Sequence, residues 1–258
     1  MLSSLKSRLV GQTRIRGIRR ARLRRAEWPV AIYAIGDIHG CLRQLIDIER
    51  SIVADASAYP GNKLIVTLGD YIDRGPNAAG VLDHLLAPPP AGFERICLAG
   101  NHEEMLLDCL AVPRWLDDWL DLGADTTLRS YGMDPSRLAG LRSGQLRGVL
   151  RAHIPQVHLD FLAELPIALA LPGIVFVHAG LRPGVALERQ AERDLQWLRP
   201  NDEDDVPSGG ELVVHGHTPG DRPVLKNHRV CIDTACFATG RLTAIRLGRD
   251  SRFRIIQT

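Results

Sequence analysis

The chain has 258 residues, of which 45% are hydrophobic and 24% are charged, and its formal net charge is +2. This length is enough for one large α/β domain or two small ones. No apolar stretch approaches the ~20 residues that span a bilayer, and no apolar segment follows the N-terminal charges, which argues against a membrane-spanning or secreted protein.

The first 28 residues are strongly basic. They hold nine lysines and arginines against Glu27 alone, a net charge of +8, which leaves −6 for the other 230 residues. We predict a basic N-terminal arm at 1–28 that contacts an acidic partner, nucleic acid or an anionic membrane surface, followed by one domain at 29–258. An organellar transit peptide and a solvated or locally packed arm fit the same composition.

Apolar runs predict the strands of this domain, and helical spacing predicts its helices. The predicted strands are residues 30–35, 64–68, 95–98, 174–177, 211–214, 230–232, 242–247 and 253–256. The predicted helices are residues 42–54, 78–86, 103–110 and 158–165. Several strands are continuous apolar runs, typical of strands covered on both faces. This order predicts an α/β domain with helices packed on mixed sheets, and a helical insertion at 103–165 above the active site, where strand patterns nearly vanish.

Five short polar clusters follow the predicted strands. They are GDIHG at 36–40, GDYIDRG at 69–75, GNHE at 100–103, HAG at 178–180 and HGH at 215–217. Loops at strand ends are where α/β sheets usually hold their active sites. Acid, imidazole and amide side chains gathered there have the composition of a two-metal hydrolytic centre.

The donors predict two metal ions that share one carboxylate. Asp37 and His39 are two residues apart, so an extended backbone points both to one side. Asp70 can bridge, because a carboxylate has two oxygens. The predicted ligands are Asp37, His39 and Asp70 for one ion, and Asp70, Asn101, His178 and His217 for the other.

The remaining polar residues of the clusters predict phosphate chemistry. Arg74 beside a cation pair makes sense only for a strongly anionic ligand such as phosphate, and Arg199 is a second predicted clamp. His102 is the predicted proton donor, held protonated by Asp73. No serine or cysteine nucleophile lies in a suitable turn, so we expect a hydroxide that bridges the metals to attack phosphorus directly.

The five cysteines form no CxxC pair and no metal-finger spacing. An odd count in a chain of this size favours free thiols and a reducing compartment. We therefore predict a cytoplasmic location.

GDIHG, GDYIDRG and GNHEE at 100–104 closely resemble the motifs of PPP-type serine/threonine protein phosphatases, which belong to the calcineurin-like metallophosphoesterase superfamily. HAG at 178–180 and HGHTP at 215–219 continue the resemblance in the bacterial and phage style, which extends over roughly residues 31–247. It implies a β-sandwich of mixed sheets flanked by helices. It implies the ligands and catalytic groups above, with His217 rather than His215 as ligand, and two divalent ions, commonly manganese in bacterial members, with iron or zinc as alternatives.

The resemblance favours hydrolysis of phosphoserine and phosphothreonine in protein substrates. Symmetrical dinucleoside polyphosphate hydrolases share the ligand set, but their second motif resembles GDLVARG and their third resembles GNHD. This chain has Asp73 and Glu103 at the positions that differ. A phosphatase of broad small-molecule specificity is a further alternative. A non-catalytic, metal-binding regulatory module is an alternative of another class, against which the complete ligand set argues.

Overall fold

A computed structural model describes residues 19–138, 140–200, 210–248 and 253–258, and in these residues the chain forms eleven strands and nine α-helices. The strands are β1 (Arg22–Arg24), β2 (Ala31–Ile35), β3 (Lys63–Thr67), β4 (Phe93–Cys97), β5 (Ala168–Leu171), β6 (Ile174–Val177), β7 (Leu212–His215), β8 (Val224–Leu225), β9 (Arg229–Cys231), β10 (Thr243–Leu247) and β11 (Phe253–Gln257). The helices are α1 (Leu42–Ala56), α2 (Ala78–Leu86), α3 (Asn101–Ala111), α4 (Leu116–Leu120), α5 (Ala124–Ser130), α6 (Ser143–His153), α7 (Gln156–Glu164), α8 (Glu192–Trp197) and α9 (Cys236–Thr239). None of the helices in this part of the chain is long and apolar enough to cross a membrane.

The strands form two mixed sheets. One has five strands in the order β11-β10-β2-β3-β4, in which β2, β3 and β4 are parallel. The other has six strands in the order β1-β5-β6-β7-β9-β8, in which β6, β7 and β9 are parallel. Apolar side chains of both sheets form one buried cluster between them, so the domain is the predicted β-sandwich.

Alternation along each strand explains the continuous apolar runs. In β2, Ile32 and Ala34 face the other sheet, whereas Tyr33 and Ile35 face the helices. Successive side chains of a strand point to opposite faces, and here both faces are covered. The six-stranded sheet is built likewise, with Val175 and Val177 of β6 in a third cluster on its outer face.

This topology brings the carboxyl ends of six parallel strands to one edge of the sandwich. β2, β3 and β4 end there in one sheet, and β6, β7 and β9 in the other. Each of the five polar clusters follows one of these strands in the chain. The fold thus brings the predicted site residues of both sheets together at this edge.

Residues 19–25, which the sequence analysis placed in the basic arm, pack against the rest of the described chain. β1 pairs in parallel with β5. Arg20 is buried and donates hydrogen bonds to the carbonyl oxygens of Leu162 (3.0 Å) and Leu165 (2.9 Å) and to the carboxylate of Glu104 (3.0 Å). Residues 1–18 lie outside the described part, so contact of a basic arm with an anionic partner stays a prediction.

The helical insertion predicted at 103–165 corresponds to α3–α7, between β4 and β5. Trp119 of α4 and Thr127 of α5 are completely buried and hydrogen-bond to Asp73 in the second polar cluster. The insertion therefore supports the site from within the protein.

A buried ionic cluster joins α1 to its neighbours. The carboxylate of Glu49 accepts hydrogen bonds from Arg95 of β4 (2.8 Å) and from His84 of α2 (2.7 Å). Burial raises the pKa of Glu49, but the hydrogen bond from His84 and the charge of Arg95 outweigh it, and the pKa lies below its ordinary value.

Replacing Glu49 by glutamine is expected to lower the free energy of unfolding by about 3 kcal/mol at pH 7, because Arg95 stays buried without a counter-charge. A lowered folded-state pKa gives stability that is present above the unfolded pKa of about 4.3 and lost as the pH falls through the folded value. The difference between variant and wild type should therefore shrink in acid. Urea unfolding at pH 7 and at about pH 3, which is well below the unfolded pKa, measures both effects. Asp47→Asn, on the exposed side of α1, is the control and should change stability by less than about 0.5 kcal/mol. If Glu49→Gln lowered the free energy of unfolding equally at both pH values, the charge of the Glu49 carboxylate would not be the cause.

Candidate metal centre

The six predicted metal ligands come together at the edge where the parallel strands end. Asp37 follows β2, Asp70 follows β3, Asn101 begins α3 after β4, His178 follows β6, and His217 follows β7. His39 lies two residues beyond Asp37, and all six side chains are buried. Buried acid and imidazole groups in such number require a countercharge or a bound cation.

Asp70 lies between two groups of imidazoles. Its Oδ2 atom is 3.5 Å from Nε2 of His39, and its Oδ1 atom is 3.4 Å from Nε2 of His178. Donor atoms close enough to share one ion occur in two groups, His39–Asp70–His102 and Asp70–His178–His217. Asp70 is common to both, as a bridging ligand must be.

Hydrogen bonds fix which imidazole nitrogen faces the centre. Nδ1 of His39 donates to the carbonyl oxygen of Ile72 (2.8 Å), and Nδ1 of His178 donates to that of Leu68 (2.9 Å). Each Nε2 lone pair is therefore directed at the site. Burial, the largest cause, lowers the pKa of His39, His178 and His217, so these rings are neutral, as metal ligands must be.

Asn101 and His217 complete the second group. The Oδ1 atom of Asn101 lies 2.9 Å from Nε2 of His178, and Nδ1 of His217 lies 3.2 Å from the same nitrogen. His215 is outside the group, with its Nδ1 hydrogen-bonded to the carbonyl oxygen of Gly216 (2.9 Å). A carboxylate, an amide oxygen and two imidazoles suit a divalent ion such as manganese, iron or zinc.

Asp37 has a partner that the sequence analysis missed. It accepts the backbone N–H of His217 (3.0 Å) and interacts electrostatically with the buried Asp233, which follows β9. Burial first, then the charges of Asp233 and Asp70, raise the pKa of Asp37 well above its ordinary value. Three carboxyl groups in one buried place fit a cation there. Asp233 could have been found, because it too directly follows an apolar run.

The charge around Asp70 acts in the opposite direction. Burial raises the pKa of this carboxyl group, but its electrostatic interactions with the imidazoles of His178, His102 and His39 outweigh burial and lower it. Asp70 is therefore the carboxylate that stays ionised at the middle of the cluster.

The predicted acid pair is formed directly. Nδ1 of His102 lies 2.7 Å from Oδ2 of Asp73, and both side chains are completely buried. Trp119 Nε1 (2.8 Å) and Thr127 Oγ1 (2.7 Å) also donate to Asp73, and these two residues were not predicted. Burial lowers the pKa of His102, but Asp70 and Asp73 outweigh it and raise the pKa above its ordinary value.

The other nitrogen of His102 is directed at the site. Its Nε2 atom has no hydrogen-bond partner among the described residues and is 3.7 Å from Oδ2 of Asp70. This orientation suits a proton donor to a bound ligand. The same orientation places His102 in the first donor group with His39 and Asp70. Asp37 is not in that group.

Glu103 supports the loop that carries Asp70. Its carboxylate accepts the backbone N–H groups of Asp70 (2.9 Å), Tyr71 (2.8 Å) and Gly100 (2.8 Å). Gly100 is required at its position, since a Cβ atom there would lie 2.2 Å from Oδ1 of Asp70. Glu103 therefore stabilises the loop and does not face the ligand.

Strained backbone is concentrated in this site. Six non-glycine residues in the described part of the chain have positive φ, and five of them are site residues: His39, Asp70, Asp73, Arg74 and His217. Such conformations cost about 1–3 kcal/mol each and persist where function requires them.

The two predicted arginine clamps lie towards different imidazoles. Arg74 donates a hydrogen bond to Nε2 of His39 (3.0 Å), and its guanidinium lies 5.0 Å from the ring centre of Phe237. Arg199 is exposed beyond the end of α8, and its charge contributes to the lowered pKa of His217. Two cations near a cluster of metal donors suit a polyanionic ligand.

Comparison with known sequences also indicates a phosphoesterase. A family model described as calcineurin-like phosphoesterase matches residues 30–237. The asymmetrical bis(5′-nucleosyl)-tetraphosphatase PrpE of Anoxybacillus flavithermus is 26% identical over 231 residues, which cover 82% of this chain and 88% of that protein. PrpE of Oceanobacillus iheyensis is 26% identical over 235 residues, covering 82% and 86%.

Solved structures share the fold. A candidate diadenosine tetraphosphatase matches with a TM-score of 0.63 and 22% identity, covering 93% of this chain and 98% of that one. A serine/threonine phosphatase of Saccharomyces cerevisiae matches with a TM-score of 0.56 and 14% identity, covering 92% and 82%. At these identities the likeness shows the architecture alone.

Proposed function

The chain belongs to the calcineurin-like phosphoesterase family, and from this premise we propose that its substrates are dinucleoside polyphosphates. The observation that carries the hydrolytic part is the buried donor cluster around Asp70, whose donor atoms fall into two groups that suit two divalent ions. The nucleotide part is supported by the relatives named as asymmetrical bis(5′-nucleosyl)-tetraphosphatases, which align over most of their own length. Asymmetrical cleavage of diadenosine tetraphosphate gives AMP and ATP, whereas the symmetrical alternative considered from the sequence would give two ADP.

The sequence argument for a protein phosphatase loses its weight in the structure. It depended on Asp73 and Glu103. Asp73 binds His102, Trp119 and Thr127, and Glu103 binds three backbone N–H groups. Both side chains are buried and face the protein, so neither distinguishes a phosphopeptide from a nucleotide. Phosphoserine and phosphothreonine proteins are the competing substrates in the test below.

The residues of the cluster have different roles in the proposed hydrolysis. Asp37, His39 and Asp70 would hold one ion, and Asp70, Asn101, His178 and His217 the other, for which we propose manganese. Bound divalent ions lower the pKa of water and offset phosphoryl charge. Arg74 and Arg199 bind and orient the phosphoryl oxygens. His102, held by Asp73, donates a proton to a leaving oxygen that would otherwise depart as an alkoxide, and it contributes less where the leaving group is a phosphate.

The test compares two substrates on one preparation. Metal-stripped protein, resupplied with manganese, is given diadenosine tetraphosphate and a phosphothreonine peptide at equal concentrations, and chromatography identifies the products. We expect faster turnover of the dinucleotide, with AMP and ATP in equal amounts. Preparations of Asp70→Asn, made in parallel, control for contaminating phosphatases. Two ADP would assign symmetrical cleavage, and preference for the peptide would overturn the proposal.

A further inference from the structure

An aromatic ring borders the metal donors and remains half-exposed. Phe237, in α9, has 38% of its surface accessible, although most large apolar side chains in the described part of the chain are buried. Its ring centre is 5.3 Å from that of His39, edge to face at 86°. The Arg74 guanidinium lies 5.0 Å from the same ring centre. The ring therefore contacts one predicted metal ligand and one predicted phosphate ligand.

The segment that carries this ring is firmly held. Ala235, two residues before Phe237, has a φ of 51°, and its N–H donates to Oδ1 of Asp233 (2.8 Å). The hydroxyl of Thr239 donates to the carbonyl oxygen of Thr234 (2.8 Å). Cys236 is buried in the core, whereas Phe237 is exposed. A fixed aromatic ring loses little conformational entropy when a ligand stacks on it.

The position of the ring suits a group joined to the bound phosphate. A phosphoryl group on Arg74 and the ions would place its substituent beside Phe237. Nucleobases stack on aromatic side chains whatever their sequence, because every base has a π face. The substituent of phosphoserine or phosphothreonine is peptide, which has no such face. A nucleoside has a ribose between its phosphate and its base, which gives the base the reach to lie on a ring beside the phosphate ligands.

We propose that Phe237 is the stacking platform for the purine base of the nucleoside nearest the cleaved phosphate. This rests on the proposed function and deepens it by naming a base-recognition residue. Arg74 then has two contacts: it binds the phosphate chain and packs against the ring that holds the base.

The variant Phe237→Leu tests the platform, because leucine keeps apolar bulk without the π face. We expect kcat/KM for diadenosine tetraphosphate to fall about ten-fold, mostly through KM. The rate on inorganic tetraphosphate, which has no base, should fall less than about three-fold by the same reasoning, since no stacking is lost. Phe237→Trp should restore the dinucleotide rate. Val157→Ala, an exposed apolar truncation on α7, is the matched control. Thermal unfolding checks that every variant is folded.

Binding separates this inference from the proposed function. Calorimetry compares AMP with ribose 5-phosphate on metal-stripped and manganese-loaded protein. Wild type should prefer AMP, and Phe237→Leu should lose about ten-fold of that preference. If the wild type does not hydrolyse the dinucleotide, the proposed function fails. The preference for AMP over ribose 5-phosphate still tests whether Phe237 stacks on the base. The stacking role of Phe237 would be overturned if Phe237→Leu lost equal kcat/KM on the dinucleotide and on inorganic tetraphosphate. A larger loss of kcat/KM on a phosphotyrosine peptide than on the dinucleotide would also overturn it.

Discussion

Replacement of Asp70 by asparagine is expected to lower kcat by about a thousand-fold or more, which corresponds to about 4 kcal/mol of lost transition-state stabilisation. The carboxylate stands between two donor groups and directs one oxygen to His39 and the other to His178. Asparagine has one oxygen and no charge, so it cannot serve both groups. Most of the bound metal should be lost with the activity.

Two measurements are needed for this variant. Elemental analysis after dialysis against manganese gives the metal content per chain, and p-nitrophenyl phosphate gives kcat. Asp83→Asn is the control, because Asp83 is an exposed carboxylate of α2 that is paired with His158 of α7. It should keep both metal and rate. Full metal content with near-wild-type turnover in Asp70→Asn would contradict the bridging role.

The sandwich and the convergence of the polar clusters were predictable because they follow from patterns local to the sequence. Continuous apolar runs such as 174–177 indicate strands covered on both faces, and the structure has β6 over the same residues. Parallel strands end at a common edge, so residues directly after them meet. The convergence of Asp37, Asp70 and His178 needed no further information.

The parts that were missed depend on contacts across long sequence separations. β1 has the sequence Arg-Leu-Arg, and only its pairing with β5, some 145 residues away, makes it a strand. β5 consists of alanine and leucine, which favour helices in isolation, and its burial between β1 and β6 decides otherwise. Trp119 and Thr127 could not be connected with Asp73, because nothing in a helical pattern indicates which loop it covers.

Sequence motifs do not distinguish the candidate substrates, for a physical reason. Motif residues such as Asp73 and Glu103 differ between branches of the family, but here both face inwards and stabilise the site. Selectivity depends on side chains that border the ligand, such as Phe237. A lone phenylalanine in a four-residue helix has no sequence pattern that marks it as a residue that borders a ligand.

His102→Asn is expected to separate substrates by their leaving groups. Loss of a general acid costs about 10²–10⁴-fold where the leaving oxygen is an alkoxide, as in a phosphothreonine peptide. The loss should be much smaller on p-nitrophenyl phosphate, since nitrophenolate leaves without a proton. It should also be smaller on diadenosine tetraphosphate, because a departing phosphate group, whose second pKa is about 6, carries its charge at neutral pH.

Metal content distinguishes the two roles open to His102. Its Nε2 atom lies near Asp70 as well as facing the site, so a ligand role would lower metal content and reduce all three rates alike. A proton-donor role leaves the metal in place and reduces the alkyl phosphate rate selectively. Thr127→Val is a graded comparison, because it removes the hydroxyl that donates to Oδ1 of Asp73 and accepts the backbone N–H of Asp73, and it leaves the imidazole present. It should show the same order of substrates with a smaller loss, since Asp73 acts on the reaction only through the orientation and charge of His102.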